Sequence, residues 1–376
     1  GYVQWYERPA DLPEEFLINT FIEANTGEFW IGGRLCLAKV NPASQHVQLI
    51  PELTNTYVRS IYSDPSGVLW VGTYGNGFYA LHNNRVIAIP PDLNGYLKYV
   101  HAFLPDSSGR LWISTNHGLF LFSLKELYSY IHTGKQAPYY SYFDNTDGFL
   151  TNEFNGGCSP AAIVLGNGKF SLPSLNGLVQ FFPDRIQPVM PASGIFVDKI
   201  IADTSAIPLT GAIDIGRGKT RLQFHVSSPY FGNSYSQHIE YRIDGDDTWY
   251  RLNDDNVIEV TNMRKGEHTI ELRKRTGFGE TSFVTKDIPF VIRPAFYETD
   301  PFRIAVLAAT LLLLYLAYRL RIKYLLRQKK WLQAEVYKKT KEQNALIDNL
   351  EIIVAELEQS RDDLRKTIQF KETLAI

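Results

Sequence analysis

The stretch from Phe302 to Tyr318, FRIAVLAATLLLLYLAY, has no charged residue between Ile304 and Tyr318 and constrains this chain more than any other segment. At about 1.5 Å per helical residue, the uncharged run alone is shorter than a hydrocarbon core of about 30 Å. Phe302 at one end and Leu320 and Ile322 at the other extend it to an adequate span, with Arg303 and Arg319 snorkelling outward. A buried core helix is the competing reading, and the residues that follow argue against it. From Arg319 to Lys330 there are six basic residues and no acidic one, whereas Glu298 and Asp300 flank the other end. The positive-inside rule then places the C-terminal side in the cytoplasm and the N-terminal part outside. The 376 residues carry a net charge of −2, divided as +4 from Arg319 onward and −6 before it. A transmembrane helix is expected over 301–321 and a cytoplasmic segment over 322–376. The chain starts at Gly1 with no Met and no signal peptide, so it is expected to be a fragment or processed product, with its export signal upstream.

Composition removes several classes. A 44% hydrophobic and 13% aromatic content argues against intrinsic disorder, and the near-neutral charge argues against a nucleic-acid binder. Two cysteines, Cys36 and Cys158, exclude a disulfide-stapled miniprotein or a Cys-based zinc module, and are expected as small buried residues in strands. The eight histidines show no HxH or HxxxH pair, which gives a metal site little support.

The outer part repeats itself. Asn25-Thr-Gly27-Glu-Phe-Trp30-Ile-Gly-Gly33, Asp64-Pro-Ser-Gly67-Val-Leu-Trp70-Val-Gly-Thr73, Asp106-Ser-Ser-Gly109-Arg-Leu-Trp112-Ile-Ser-Thr115 and Gly166-Asn-Gly168-Lys-Phe170-Ser-Leu-Pro173 each read as a tight turn followed by a short strand. In the last three, a second turn at Gly77, Gly118 or Gly177 leads into another strand. Steps of 40, 42 and 59 residues, with two hairpins per unit, are the signature of β-propeller blades, with tryptophan filling the wedge between them.

The D-x-x-G-x-L-W-[IV]-G-T pattern resembles the two-component regulator propeller repeat. Residues 64–73 match it fully, and 106–115 match except for Ser114 in place of glycine. Phe143-Asp-Asn-Thr-Asp-Gly148-Phe-Leu-Thr-Asn-Glu153-Phe-Asn155 resembles the insert before the final blade of that family. About four blades over 1–187 are fewer than the usual closed ring, so a blade edge and an apolar face are expected to be exposed. After the Pro-rich stretch Pro183 to Pro191, short alternating strands separated by Asp244-Gly245, Lys265-Gly266 and Gly277-Phe-Gly279 suggest an Ig-like β-sandwich over 188–296. Phe224, Pro229-Tyr230, Tyr241-Arg-Ile-Asp-Gly245-Asp-Asp-Thr-Trp249, Arg264-Lys-Gly266-Glu-His268 and Ile292-Arg-Pro294-Ala-Phe296 make it similar to the triple-tyrosine domain that follows such propellers. Two departures from that pattern are His268 at a tyrosine position and Asp300-Pro301 in place of an aromatic pair.

Two local patterns are set aside. Asp244, Asp246 and Asp247 lack the glutamate an EF-hand needs and read as a solvated hairpin tip. Gly72-Thr-Tyr-Gly75-Asn-Gly77 lies between strands and opens no helix that could hold a phosphate. Beyond the membrane, Ile322, Leu325, Leu332, Val336, Leu346, Leu350, Ile353, Leu357 and Leu364 fall on alternating three- and four-residue steps, without Gly or Pro from Lys323 to Ile376. A continuous helix with a coiled-coil seam is expected, with polar Lys329, Lys339, Gln343 and Ser360 at skipped positions and a phase break near Thr367. A monomeric charged helix is the competing reading.

The chain shows no nucleophile–base pair, metal cluster or nucleotide loop, which points to a sensor and transmitter and to no cofactor in this segment. The resemblance implies a periplasmic sensor in the bacterial inner membrane that takes an oligosaccharide or other small molecule. It also implies a homodimer through the coiled coil, a membrane-lipid environment and no nucleic-acid contact. The output it implies is a histidine kinase using ATP and Mg beyond Ile376, and Phe370 to Ile376 resembles the lead-in to the phospho-accepting helix. A helix-turn-helix or cyclase output, a membrane-tethered binding protein and an outer-surface enzyme remain as alternatives. The blade turns offer Tyr74, Asn76, Asn116, His117 and Asn176 as candidate ligand residues, since aromatic and amide groups suit hydroxyl-rich molecules. Ordinary turn chemistry is the competing reading for them.

Overall fold

The computed structural model describes residues 12–24, 27–44, 46–157, 159–216, 218–279 and 281–373, so Cys158, Asn25, Thr26 and the last three residues lie outside it. The chain divides into two units, 1–293 and 294–376, each treated by itself.

The first unit begins with four sheets built from consecutive antiparallel strands. The first comprises β1 (Ile18–Glu23), β2 (Phe29–Gly33), β3 (Leu37–Asn41) and β4 (His46–Leu49). The second comprises β5 (Val58–Ser63), β6 (Leu69–Thr73), β7 (Phe78–His82) and β8 (Arg85–Ala88). The third has β9 (Val100–Pro105), β10 (Arg110–Thr115), β11 (Gly118–Ser123) and, after helix α1 (Leu124–Thr133), β12 (Tyr140–Phe143). The fourth has only three strands, β13 (Ile163–Val164), β14 (Phe170–Ser174) and β15 (Gly177–Phe181). These are propeller-like blades and they form no closed ring among the described residues. The expected open faces are present: Leu17, Ile18 and Phe21 beside the first blade and Leu175 and Leu178 on the fourth are all more than half exposed.

The repeat motif is a hydrogen-bonding device. Asp64 Oδ1 accepts from the backbone N–H of Ser66 (2.9 Å) and Val68 (3.0 Å), closing the turn, while Oδ2 accepts from Trp70 Nε1 and Tyr128 Oη, both at 2.9 Å. Asp106 repeats this with Ser108 N, Arg110 N and Trp112 Nε1. A tryptophan can therefore be fully buried in the wedge because its one donor is satisfied there. The fourth repeat has Leu165 at the aspartate position and Ser171 at the tryptophan position, so donor and acceptor are lost together. The glycine of W-[IV]-G-T has a steric cause. A Cβ on Gly72 would lie 2.5 Å from Val100 Cγ1, and one on Gly32 would lie 2.4 Å from Val58 Cγ1, on the first strand of the next blade. Ser114, at the same position in the third blade, buries its hydroxyl without a partner.

The second part of this unit is a sandwich with strands β16 (Phe196–Ala202), β17 (Ser205–Ile207), β18 (Ile213–Ile215), β19 (Arg221–Ser227), β20 (Ile239–Ile243), β21 (Tyr250–Arg251), β22 (Val257–Thr261), β23 (Gly266–Arg275) and β24 (Phe283–Ile292). One sheet runs β17-β16-β19-β22, the other β18-β24-β23-β20-β21, with β18 parallel to β24. Alternate residues such as Ile200, Phe224 and Ile258 meet Ile270, Leu272 and Phe290 in the core. His268, at the position where tyrosine was expected, is held by the Asp244 carboxylate (2.6 Å) and the Arg264 carbonyl (2.7 Å) against Phe290. That carboxylate also accepts from Thr269 N, and Asp244 and Gly245 (φ 53° and 73°) form the tight turn that the Asp-Gly pair predicts.

Propeller and sandwich are joined by buried polar contacts. Glu126 on α1 pairs with Arg275 of β23 at 2.5 Å, both side chains being at most 5% exposed. The same carboxylate accepts from Tyr139 N (2.8 Å) and from Gly279 N. Tyr139 Oη donates to the Ser236 carbonyl, Tyr235 Oη donates to Asp92, and Tyr142 N donates to Ser236 Oγ. His238 is packed between Tyr139 and Tyr140, and burial, with Arg251 and Arg275 nearby, holds its pKa well below the ordinary value.

Lys274 is fully buried with neutral partners, donating to Ser193 O (2.5 Å), Ser193 Oγ (3.2 Å) and Ser228 Oγ (2.6 Å). Burial lowers its pKa from 10.5 to about 8. Between about pH 8 and about 10.5 this side chain holds a proton in the unfolded chain that it has released in the folded one, so the Lys274 contribution to stability rises with pH through that window and its penalty is complete below it. Lys274→Met is expected to abolish this slope and to stabilise the protein at neutral pH, as read by urea unfolding on either side of the window.

The second unit contains α2 (Asp300–Thr373), an unbroken helix of 74 residues. Thr299 O accepts from Arg303 N at 3.1 Å, so Asp300-Pro301 forms the first turn, where an acid suits the dipole and proline lacks only an N–H that needs no partner. The apolar opening of α2 is long enough to cross a membrane. Farther on, Leu325, Leu332, Val336, Leu346, Leu350, Ile353, Leu357 and Leu364 are each at least half exposed.

Candidate functional site

Each of the first three blades has a β-bulge at the same place in its first strand, at Asn19 between Ile18 and Thr20, at Arg59 between Val58 and Ser60, and at His101 between Val100 and Ala102. A bulge leaves one residue outside the ladder and re-aims its side chain. The turn after the second strand returns to the same end of the blade: Arg34 N donates to Leu17 O, Tyr74 N to Tyr57 O, and the Thr115–Val100 pairing places Asn116 equivalently. In the fourth blade, Leu175 N donates to Glu153 O, which puts Asn155 at the bulge position. One face of the propeller therefore carries an arc of equivalent positions drawn from adjacent blades.

The arc is aromatic and cationic. The Tyr74 ring, 40% exposed, lies 4.9 Å from Tyr99, 5.9 Å from Tyr57 and 6.3 Å from His101. The Arg59 guanidinium sits over both Tyr57 (5.2 Å) and Tyr74 (5.4 Å), donates from Nη1 to Tyr57 Oη at 2.6 Å, and buries Nε without a partner. The Arg34 guanidinium also lies over the Tyr57 ring, at 5.6 Å. Burial raises the Tyr57 phenol, but hydrogen bonding to Asn19 and the two arginines lowers it further, so its pKa falls below the usual tyrosine value. Among the described residues, no carboxylate forms an ion pair with Arg34 or Arg59. His101 donates from Nε2 to Asn116 Oδ1 at 2.6 Å, which leaves a buried Nδ1 acceptor unpartnered. Burial lowers the His101 pKa and Arg59 lowers it further, against the Asn116 hydrogen bond.

The candidate residues from the sequence separate into three places. Tyr74 and Asn116 lie in the arc. Asn76 is exposed on the same β6–β7 turn, its N–H donating to Thr73 Oγ1 at 3.1 Å. His117 stacks at 4.5 Å on Tyr96, which stacks at 5.2 Å on Tyr235 of the sandwich, and Tyr142 Oη donates to the His117 carbonyl, so it sits at the propeller–sandwich joint. Asn176 lines a cavity of about 500 Å³ with Trp112, Phe143, Phe149 and Phe181, in the wedge beside the three-stranded blade. Sequence reasoning did not find Asn19, Arg34, Tyr57, Arg59, Tyr99 or His101. A usable signal existed, since Asn19, Arg59 and His101 each stand eleven residues before the blade tryptophan.

The profile of the two component regulator propeller matches residues 52–75 and 97–117. Two of the four blade repeats are thus similar to regulator-propeller repeats. The matched segments contain Tyr57, Arg59, Tyr74, Tyr99, His101 and Asn116. The chain is 22% identical over 215 residues to histidine kinase P4 of Formosa agariphila, a match covering 54% of this chain and 15% of that protein. It is similar in fold to two extracellular domains from B. thetaiotaomicron assigned to hybrid two-component systems. For BT3049 the TM-score is 0.47 at 19% identity, covering 78% of this chain and 40% of that one. For BT4673 the TM-score is 0.34 at 18% identity, covering 74% and 36%. The chain thus spans less than half the length of each of these proteins.

Proposed function

We propose that this chain is the periplasmic sensor and transmembrane transmitter of a two-component histidine kinase, with the regulator-propeller arc taking an oligosaccharide. The observation that carries this reading is the order of parts. Regulator-propeller repeats and a sandwich run, seven residues after β24, into an unbroken helix with an apolar opening and a later seam of exposed leucine, isoleucine and valine. The relative in Formosa agariphila is named a histidine kinase, which supports a kinase output beyond Ile376. Two copies would pair their seams, burying apolar side chains that α2 leaves exposed. The buried joint between propeller and sandwich favours their moving as one body. Ligand would then act by changing how two such bodies sit, and α2 would carry that change as a rotation, tilt or piston shift.

Topology is the first test. Trypsin added to intact spheroplasts is expected to digest the propeller and to leave the segment beyond Arg319 protected. Digestion of both, or protection of both, would refute the layout. With the layout established, autophosphorylation of the complete gene product in proteoliposomes is expected to change when oligosaccharide is added on the propeller side.

A further inference from the structure

The arc has a polarity of its own. Its first two blades supply Arg34 and Arg59, with no carboxylate partner among the described residues. Its later blades supply His101, Asn116 and Asn155 at the matching positions, with Glu153 preceding the last. Arginine held without a counter-ion is unusual, because orienting a long cation over aromatic rings costs side-chain entropy that a carboxylate normally helps offset. Here the orientation is instead secured by the bulge at Arg59, by cation–π contact with two tyrosines and by one hydrogen bond from Nη1. Arg59 Nη2 forms no hydrogen bond among the described residues, and the Arg34 side chain is exposed beside it on the same Tyr57 ring. Two guanidinium groups set on one phenol, with no anion beside them among the described residues, are a preorganised oxyanion receptor.

Resting on the proposed role of the arc as ligand face, we propose that it selects an acidic oligosaccharide, with Arg34 and Arg59 gripping a carboxylate or sulfate group. Tyr74 supplies the flat surface for the adjoining sugar ring. The acidic end points toward the first two blades, because the exposed Glu153 on the fourth blade would repel it and the amides of Asn116 and Asn155 suit hydroxyls. The lowered Tyr57 phenol agrees with uncompensated positive charge at this spot.

The test is binding to the whole chain in lipid nanodiscs, using size-matched neutral cello-oligosaccharides, uronate oligosaccharides without sulfate and sulfated galactan (carrageenan) oligosaccharides without uronate. At least one acidic series is expected to bind about tenfold or more tightly than the neutral one, with affinity falling as salt rises. Arg34→Gln and Arg59→Gln are each expected to weaken the acidic ligand about tenfold to a hundredfold, with Arg59→Lys recovering part of the loss. Tyr74→Ala is expected to weaken every sugar that binds. Uronate binding without sulfate binding, or the reverse, identifies the anion. Neutral sugars binding as well as acidic ones, through Tyr74 and indifferent to both arginines, would overturn the charge selection while leaving the sugar face standing. Acidic sugars binding indifferently to Tyr74, Arg34 and Arg59 would overturn the face itself, and failure of every acidic series to bind would overturn the inference. If Arg59→Gln does not fold, Arg34→Gln, an exposed position, decides alone.

Discussion

Glu126→Ala is expected to destabilise the propeller–sandwich unit by about 3–5 kcal/mol, the range for leaving one partner of a buried ion pair uncompensated. The Arg275 guanidinium would keep its place between Tyr139 and Phe283, with Nε and Nη1 lacking partners among the described residues and Nη2 now losing the Glu126 acceptor. The backbone N–H groups of Tyr139 and Gly279 would be orphaned as well. Glu126→Leu combined with Arg275→Met should recover part of the loss, because it removes the buried charge along with its partner but still leaves the Tyr139 and Gly279 N–H groups without an acceptor. Denaturant unfolding of the two variants beside the unaltered chain checks both statements. A loss below about 1 kcal/mol for Glu126→Ala would mean that water reaches the joint and that propeller and sandwich are not locked together.

Asp64→Ala should cost about 3 kcal/mol, since it leaves the Trp70 indole, the Tyr128 hydroxyl and two turn N–H groups without their acceptor. Asp64→Asn should lose about half as much. Its carbonyl can still close the turn through Ser66 and Val68, and Tyr128 can rotate its hydroxyl to accept from the amide. The indole N–H of Trp70 cannot reverse its role and would face a second donor. Thermal unfolding followed by tryptophan fluorescence reads the series. An asparagine variant as damaged as the alanine one would show that charge, and not the hydrogen-bond pattern, explains the aspartate.

Much of the fold was legible because it follows from short-range chemistry. Gly67, Gly109 and the tryptophans three residues later announce the blades, and Asp244-Gly245 announces a hairpin. The sandwich strands near 196–202, 221–227, 239–243 and 266–275 show as alternating segments. Helix α1 was not foreseen, although Leu124, Leu127, Tyr128 and Ile131 stand at the i, i+3, i+4, i+7 spacing of one helix face and Gly134 closes it. Strands β17, β18 and β21 are two or three residues long and carry no period of their own. At the site, turn position exposed Tyr74 and Asn116. Arg59 and His101 stayed hidden because a strand residue normally belongs to the ladder, and only the bulge frees it.

Local pattern alone determined the blade motif, the membrane-length apolar run and the spacing of apolar residues along α2, since each depends on residues within one or two turns of one another. The tertiary structure alone decided the rest. It brought Asp92 to Tyr235 and Glu126 to Arg275 across separations of 143 and 149 residues, and no local pattern encodes such partners. It also set three blades side by side so that Arg34, Arg59, Tyr74 and His101 share one face. Their chemistry lies in which side chains converge, and convergence is fixed by how the blades pack and not by what each segment contains.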